Sequence, residues 1–269
     1  MPDLTIIIVS YNARADLERC VASLLAHPPR VSHEIVVVDN QSTDGSADAV
    51  RGRPGVTVIQ LGSNVGFARA NNLGIRQTSS EHVLLLNSDT VVPPDAIDRL
   101  VDLLRRRPDV AVVGPRLVDG EGRAEMSYGR MLGPWVELQR KVLVHAHARR
   151  MGAATRMVER ATRQQQTPDW VSGACLLVRR RDAEAVGLLD ERYFMYEEDV
   201  DFCAAIRRQG RLVLFTPDTE VVHLRGRSAA TAPAATKKAY RRSQLAFYQK
   251  HHPGWAAILR TYRQLRRQL

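Results

Sequence analysis

Val83-Leu84-Leu85-Leu86-Asn87-Ser88-Asp89-Thr90 is the stretch that decides how the rest of the chain is read. Four apolar residues in a row between polar segments suit a strand buried on both faces, and such strands belong to mostly parallel sheets covered by helices. The run then ends in polar side chains. In open α/β sheets ligands gather outside the carboxyl ends of the strands, so Asn87, Ser88 and Asp89 stand where a ligand, or a metal carrying one, is held. A carboxylate and an amide oxygen two positions apart suit a hard divalent cation bound to phosphate, which takes oxygen ligands and keeps several waters. Taken alone, the same polar residues also read as a turn ahead of a helix opened by Pro94.

Upstream, Leu4 to Val9 form a β-branched run that ends at Ser10-Tyr11-Asn12, and Leu17, Cys20, Val21, Leu24 and Leu25 follow at the spacing of an amphipathic helix. A second run, Ile35 to Val38, ends at Asp39-Asn40. Strand, helix, strand is the unit of a parallel sheet. Residues 56–61 give a third strand and 66–75 a short helix; downstream, Ile97, Leu100, Val101 and Leu104 share a helical face before a further strand at 110–113. The first strand leads into Ser-Tyr-Asn-Ala-Arg-Ala, without the Gly-x-Gly-x-x-Gly of a dinucleotide fold, and no Gly-Lys-Ser/Thr loop occurs. Both of those phosphate cradles are excluded.

With 269 residues, 44% hydrophobic and 25% charged, the chain is sized for one large α/β domain or two small ones. Its apolar runs are too short to cross a bilayer, and its first residues lack the basic and apolar parts of a signal peptide, so a cytoplasmic protein is expected. Cys20, Cys175 and Cys203 lie inside apolar patterns and read as buried, reduced thiols. The formal charge is +10. No RNA- or DNA-binding motif accompanies it, and the arginines lie outside the ligand-facing strand ends, so nucleic acid is not the expected partner.

Set together, these motifs resemble the inverting glycosyltransferases of family 2, which have the GT-A fold, and within them the branch containing bacterial rhamnosyltransferases. The resemblance rests on Val9-Ser10-Tyr11-Asn12, Val38-Asp39-Asn40, Asn64-Val65-Gly66-Phe67-Ala68 with Asn72-Leu73-Gly74, and Leu86-Asn87-Ser88-Asp89-Thr90. It continues through Trp170-Val171-Ser172-Gly173-Ala174, Glu198-Asp199-Val200-Asp201 and His223-Leu224-Arg225-Gly226-Arg227-Ser228. It implies a GT-A α/β domain over residues 1–228, with a nucleotide-binding half (1–115) and an acceptor-binding half (116–228), followed by a helical tail (229–269).

The same resemblance assigns roles. The donor, a dTDP- or UDP-linked sugar with dTDP-rhamnose the expected one, would lie against Ser10, Tyr11, Asp39, Asn64, Gly66, Phe67, Asn87, Ser88 and Asp89. Asp39 would accept the imide N–H of thymine or uracil while Tyr11 packs on the base; the other reading of Asp39 is a turn cap. Asp89, with His223, would hold Mg²⁺ or Mn²⁺ on the diphosphate, although Asn87 stands where many GT-A enzymes have a carboxylate; by itself His223 reads as a strand-end histidine. Arg207 is a further donor contact or an ion-paired arginine. Asp199 would be the general base, its pKa held low by a helix N-terminus. Trp170, Ser172, Gly173 and Glu198 would meet the acceptor, a cell-envelope glycan or polyprenyl-diphosphate-linked precursor, unless Trp170 is a core aromatic. Alternatives in the same fold are a UDP-hexose transferase and a catalytically silent sugar-binding module; the presence of both Asp89 and Asp199 speaks against the latter. The basic, helical segment 128–166 is expected to shape acceptor choice.

The tail carries nine basic residues from Lys237 onward and no Asp or Glu. Trp255, Ile258, Leu259, Tyr262 and Leu265 form a helical stripe with Arg260, Arg263 and Arg267 expected opposite, the pattern of a helix in a membrane interface. That predicts peripheral attachment to an anionic membrane on its cytoplasmic face; the alternative is a stripe packed on the catalytic domain.

Overall fold

The strand β1 (Leu4–Ser10) alternates Leu4, Ile6 and Ile8 toward one face of a sheet with Ile7 and Val9 toward the other, and all are buried. A strand apolar on both sides needs cover on both sides. In this computed structural model, which describes residues 1–224 and 233–266, helices supply that cover. Arg225, Gly226, Arg227 and Ser228 of the last motif, the expected boundary at 228, and Arg267 lie outside the described residues.

On one side of β1 lies β2 (His33–Asp39), followed by β3 (Val56–Gln60), and on the other β4 (His82–Asn87), all parallel. Beyond β4 the eight-stranded sheet runs through β9 (Cys175–Arg179), β6 (Val110–Val118) and β10 (Leu212–His223), and ends at β5 (Thr90–Val91). β10 is parallel to β6, while β9 is antiparallel to both its neighbours. The α/β GT-A expectation is thus met by one continuous, mostly parallel sheet. A two-stranded ribbon, β7 (Tyr128–Gly129) with β8 (Trp170–Val171), stands beside it.

Helices α1 (Arg14–Ala26), α2 (Ser46–Val50) and α4 (Ala96–Arg106) cover one face. The other face takes α3 (Phe67–Arg76), α7 (Arg180–Ala185) and α8 (Glu198–Arg208). Residues 128–166 contain the expected helices, α5 (Pro134–Ala148) and α6 (Gly152–Ala161). The three cysteines are buried and unpaired with one another, and burial pushes the Cys20 and Cys203 thiols up to about 12.

The tail forms α9 (Pro233–His251) and α10 (Pro253–Leu265), and it is docked. Phe247 and Tyr248 are buried in the core, and Lys250 bridges Asp190 and Asp201 at 2.8 Å each. The buried Glu137 of α5 accepts from the Tyr248 hydroxyl (2.7 Å), the Tyr240 hydroxyl (3.1 Å) and the Gln244 amide. Arg263, expected on the outer side of α10, is buried instead: its guanidinium donates to the Arg241 carbonyl and to Gln244, satisfying α9 backbone and side chain from within.

Candidate active site

Register brings the strand-end motifs into line. Ser10 pairs with Asp39 and Val9 with Asn87 across parallel neighbours, the Asn87 N–H donates to the Ala174 carbonyl (2.9 Å), and Thr90 pairs with His223. Four segments far apart in sequence therefore end along one edge.

At one end of that edge Asp39 is enclosed; its Oδ2 accepts from the Ser42 N–H (3.1 Å), and its Oδ1 has no hydrogen-bond partner among the described residues. The Ser10 hydroxyl, on the paired position, is also buried without one. Buried polar atoms are ordinarily satisfied, so an orphaned acceptor beside an orphaned hydroxyl marks a place that suits a complementary polar edge. The Tyr11 ring stays 43% exposed at the same strand end.

The following loop is shaped by amides. The Asn40 side-chain amide donates to Asn64 Oδ1 (2.8 Å) and accepts at Oδ1 from the Val65 N–H, while Asn64 Oδ1 also accepts from the Gly66 N–H. Asn64 thus forms the turn itself. Gly66 has φ +86°, and a Cβ there would sit 2.4 Å from the Phe194 carbonyl oxygen, the acceptor of the Phe67 N–H (2.6 Å). Only glycine permits that approach.

At the other end of the edge His223 Nε2 lies 3.3 Å from Asp89 Oδ1 and 3.4 Å from the Asn87 amide nitrogen, and Nδ1 lies 3.2 Å from Glu125 Oε2. Burial opposes charge on His223, but the flanking carboxylates outweigh it and push the imidazole up to about 9. Two atoms 3.3 Å apart suit adjacent ligands of one divalent ion with bonds of about 2.1 Å, an ion that would displace the Nε2 proton on binding. Glu125 behind the ring fixes the imidazole's orientation and would supply the carboxylate of a carboxylate–histidine–metal arrangement. Among the described residues no group of three or more His, Cys, Asp or Glu side chains forms a complete cage, so the remaining ligands of such an ion would come from diphosphate and water. Ser88 is buried in the turn between the two asparagine and aspartate positions.

Asp199 sits in the first turn of α8, just after Tyr196 and Glu197, whose φ values of 73° and 68° are left-handed. Two such residues in succession are costly and occur where a site demands them. The Gly173 N–H donates to Asp199 Oδ2 (2.9 Å) and the Val200 N–H to Oδ1 (2.8 Å). A Cβ on Gly173 would lie 3.3 Å from Asp199 Cβ and 3.7 Å from the Phe67 ring, which ties the loop after β8 to both the Phe67 and the Asp199 motifs. Ser172 holds this loop through its own N–H to the Ser127 carbonyl. The expected low pKa of Asp199 is corrected: burial dominates and raises it, against the two N–H donors and Arg140. Burial and neighbouring carboxylates push Glu197 up to about 8 and Glu198 well above the usual range. The two N–H donors on its oxygens make Asp199 the member of this trio best suited to carry charge.

Two expected contacts fall elsewhere. Trp170 is 2% exposed, its indole N–H donates to the Arg130 carbonyl (2.9 Å), and its ring packs against Gly129, so it is a core aromatic and floors no open site. Arg207 is taken by Asp169 (2.8 Å) and the Pro168 carbonyl (3.0 Å), two turns along α8 from Asp199, so it is an ion-paired arginine. Arg140 and Glu125 were missed. Arg140 stacks on Trp170 at 4.7 Å and bears electrostatically on Asp199, yet in sequence it is one cation in a basic helix. Glu125 lies in a loop without a motif.

Comparison with known proteins now bears on this edge. Residues 5–184 match the family described as Glycosyl transferase family 2. The chain belongs to that family. This family 2 chain is 33% identical over 265 residues to an N-acetylglucosaminyl-diphospho-decaprenol L-rhamnosyltransferase of Mycobacterium tuberculosis, covering 94% of this chain and 86% of that one. It is 25% identical over 226 residues to a dTDP-rhamnosyl transferase of Shigella flexneri, covering 82% and 68%. Its fold matches a Pyrobaculum calidifontis mannosyltransferase solved with GDP-Man and Mn²⁺, with TM-score 0.64 at 21% identity, over 96% of this chain and 68% of that one. The chain is a glycosyltransferase of the GT-A type, related to rhamnosyltransferases and to enzymes of cell-wall and polysaccharide biosynthesis.

Proposed function

We propose that the enzyme transfers rhamnose from dTDP-rhamnose, with inversion, to a hydroxyl of a polyprenyl-diphosphate-linked glycan precursor. The observation that carries this is the alignment of Ser10, Asp39, Asp89 and His223 along one sheet edge, with Asp199 of α8 held by the loop that leads into β9. Asp39 Oδ1 accepts the thymine imide N–H, the Ser10 hydroxyl donates to a base carbonyl, and Tyr11 covers the ring. Asp89 and His223 would hold Mg²⁺ or Mn²⁺, which would offset the charge of the departing diphosphate. Asp199 takes the proton of the acceptor hydroxyl as its oxygen bonds to the anomeric carbon, and the bond from that carbon to dTDP breaks on the opposite face. Arg140, beside Asp199, suits an acceptor that carries phosphate. The relatives' activities supply the choice of rhamnose and of a lipid-linked acceptor.

Within this reading residues 1–115 serve the nucleotide and 116–228 the acceptor, 229–269 form the tail, and its described residues, 233–266, brace the second part. No described helix is long and apolar enough to cross a membrane. Calorimetric titration with dTDP and with UDP, in Mg²⁺ and then in EDTA, tests the donor. dTDP should bind more tightly, and EDTA should weaken it. Tighter UDP binding would move the donor to a UDP-hexose, and binding of neither would refute the site.

A further inference from the structure

The amphipathicity of α5 is inverted. Its buried residue is Glu137, whereas Trp135, Leu138 and Val142, one helical face by their spacing, are 68%, 51% and 61% exposed. α10 does something similar: Ala256 and Arg263 are buried and Leu259 packs against the core, while Trp255, Ile258, Tyr262 and Leu265 are all more than half exposed. The segments that lead into the two helices touch, His252 Nε2 lying 2.7 Å from the Leu132 carbonyl oxygen, so both helices start from one place. Together with Met151 and Met157 around α6, these helices hold nine of the thirteen large exposed apolar side chains among the described residues. Single exposed apolar residues need no explanation, but a concentration of them marks an interaction surface.

Charge selects the partner. Of the tail's basic residues, Lys250 and Arg263 are engaged internally, but Lys237, Lys238, Arg242, Arg260 and Arg266 are exposed, and the Arg266 guanidinium lies over the Tyr262 ring at 5.7 Å. Trp and Tyr rings over an aliphatic stripe with arginine beside them suit the headgroup level of a bilayer, and clustered Lys and Arg suit an anionic leaflet. A second copy of this chain is a poor occupant, because pairing would bring two basic tails together in a protein of charge +10. We propose that α5 and α10 form one face that docks on an anionic phospholipid bilayer. The proposal rests on the lipid-linked acceptor for its purpose: the same α5 that meets lipid through Leu138 carries Arg140 beside the base.

Removing the tail would strip Phe247 and Tyr248 from the core, so point substitutions of exposed residues are the test. The full chain, Leu138→Asp and Ile258→Asp, each checked for unchanged circular dichroism, are sedimented with vesicles of phosphatidylcholine and of phosphatidylcholine with phosphatidylglycerol. The wild type should bind the anionic vesicles, be released by salt, and lose about tenfold or more in affinity with either substitution. Three results would overturn the proposal: equal binding to both vesicles or to neither, loss with Ile258→Asp alone, or a dimer in gel filtration that either substitution dissolves. dTDP titration of the same samples keeps a failure here distinct from failure of the functional reading.

Discussion

Glu137→Ala should loosen the tail without touching donor or base residues. Glu137 is a buried carboxylate that receives the Tyr240 and Tyr248 hydroxyls and the Gln244 amide, with Lys141 a fourth, half-exposed partner at 2.6 Å. The exposed lysine adds little. Three largely buried donors losing their acceptor, at about 1–1.5 kcal/mol each, make a loss of roughly 3–5 kcal/mol. Burial opposes the Glu137 charge, but Lys141 and the tyrosine hydroxyls together hold its pKa below the usual value. A depressed carboxylate stabilises above its unfolded pKa of about 4.3 and loses that contribution as pH falls through its folded value. Urea unfolding should show the loss at neutral pH, with faster amide exchange across α9. In Glu137→Gln the acid-side fall in stability should be smaller than in wild type. A change under about 1 kcal/mol with unaltered α9 exchange would show that the tail is held by its apolar contacts alone.

Asp199→Asn should keep dTDP affinity while turnover falls about 10² to 10⁴-fold, and the wild-type rate should drop with acid at a pH above the ordinary aspartate range, because burial raises the base's pKa. Retained turnover, or an acid limb that persists in the variant, would move the role to another group. Gly66→Ala puts a Cβ 2.4 Å from the Phe194 carbonyl in a left-handed conformation, so a lower melting temperature and weaker dTDP binding are expected; wild-type values for both would mean the loop at 194 yields freely.

The buried parallel strands were legible because β1, β2 and β4 are apolar on both faces, a pattern that few other elements share. Their polar ends were legible for the same reason: polarity that begins abruptly after such a run can only be at an edge. Pairing was not legible. Nothing in Cys-Leu-Leu-Val says that β9 enters antiparallel between β4 and β6, since periodicity fixes which face a side chain takes and not which strand lies beside it. The stripe on α10 was visible as a stripe, but a helix with Ala256 and Leu259 on one side and Trp255 and Ile258 on another offers two apolar faces, and burial of Arg263 chose between them through partners on α9. Of the motif expected to meet the acceptor, Gly173 serves Asp199 while the Trp170 ring fills the core, and sequence alone does not separate the two. Helix dipole arguments placed Asp199 low; in this first turn enclosure outweighs the N-terminal field.

The position of β9 also sets the order in which the chain is completed during synthesis. β1 to β4 can assemble as soon as they emerge, but β6, which follows β4 in sequence, has no place beside it. Its neighbour on that side is β9, whose first residue is Cys175, so β6 waits while residues 119–174 are made. At about 5–20 residues per second that is a delay of roughly 3–11 s, with a nine-residue strand apolar over much of its length lacking its inner partner. The ribosome-bound chain therefore passes through a stage with an open sheet edge, and a chaperone that covers extended apolar segments would find its substrate in that interval.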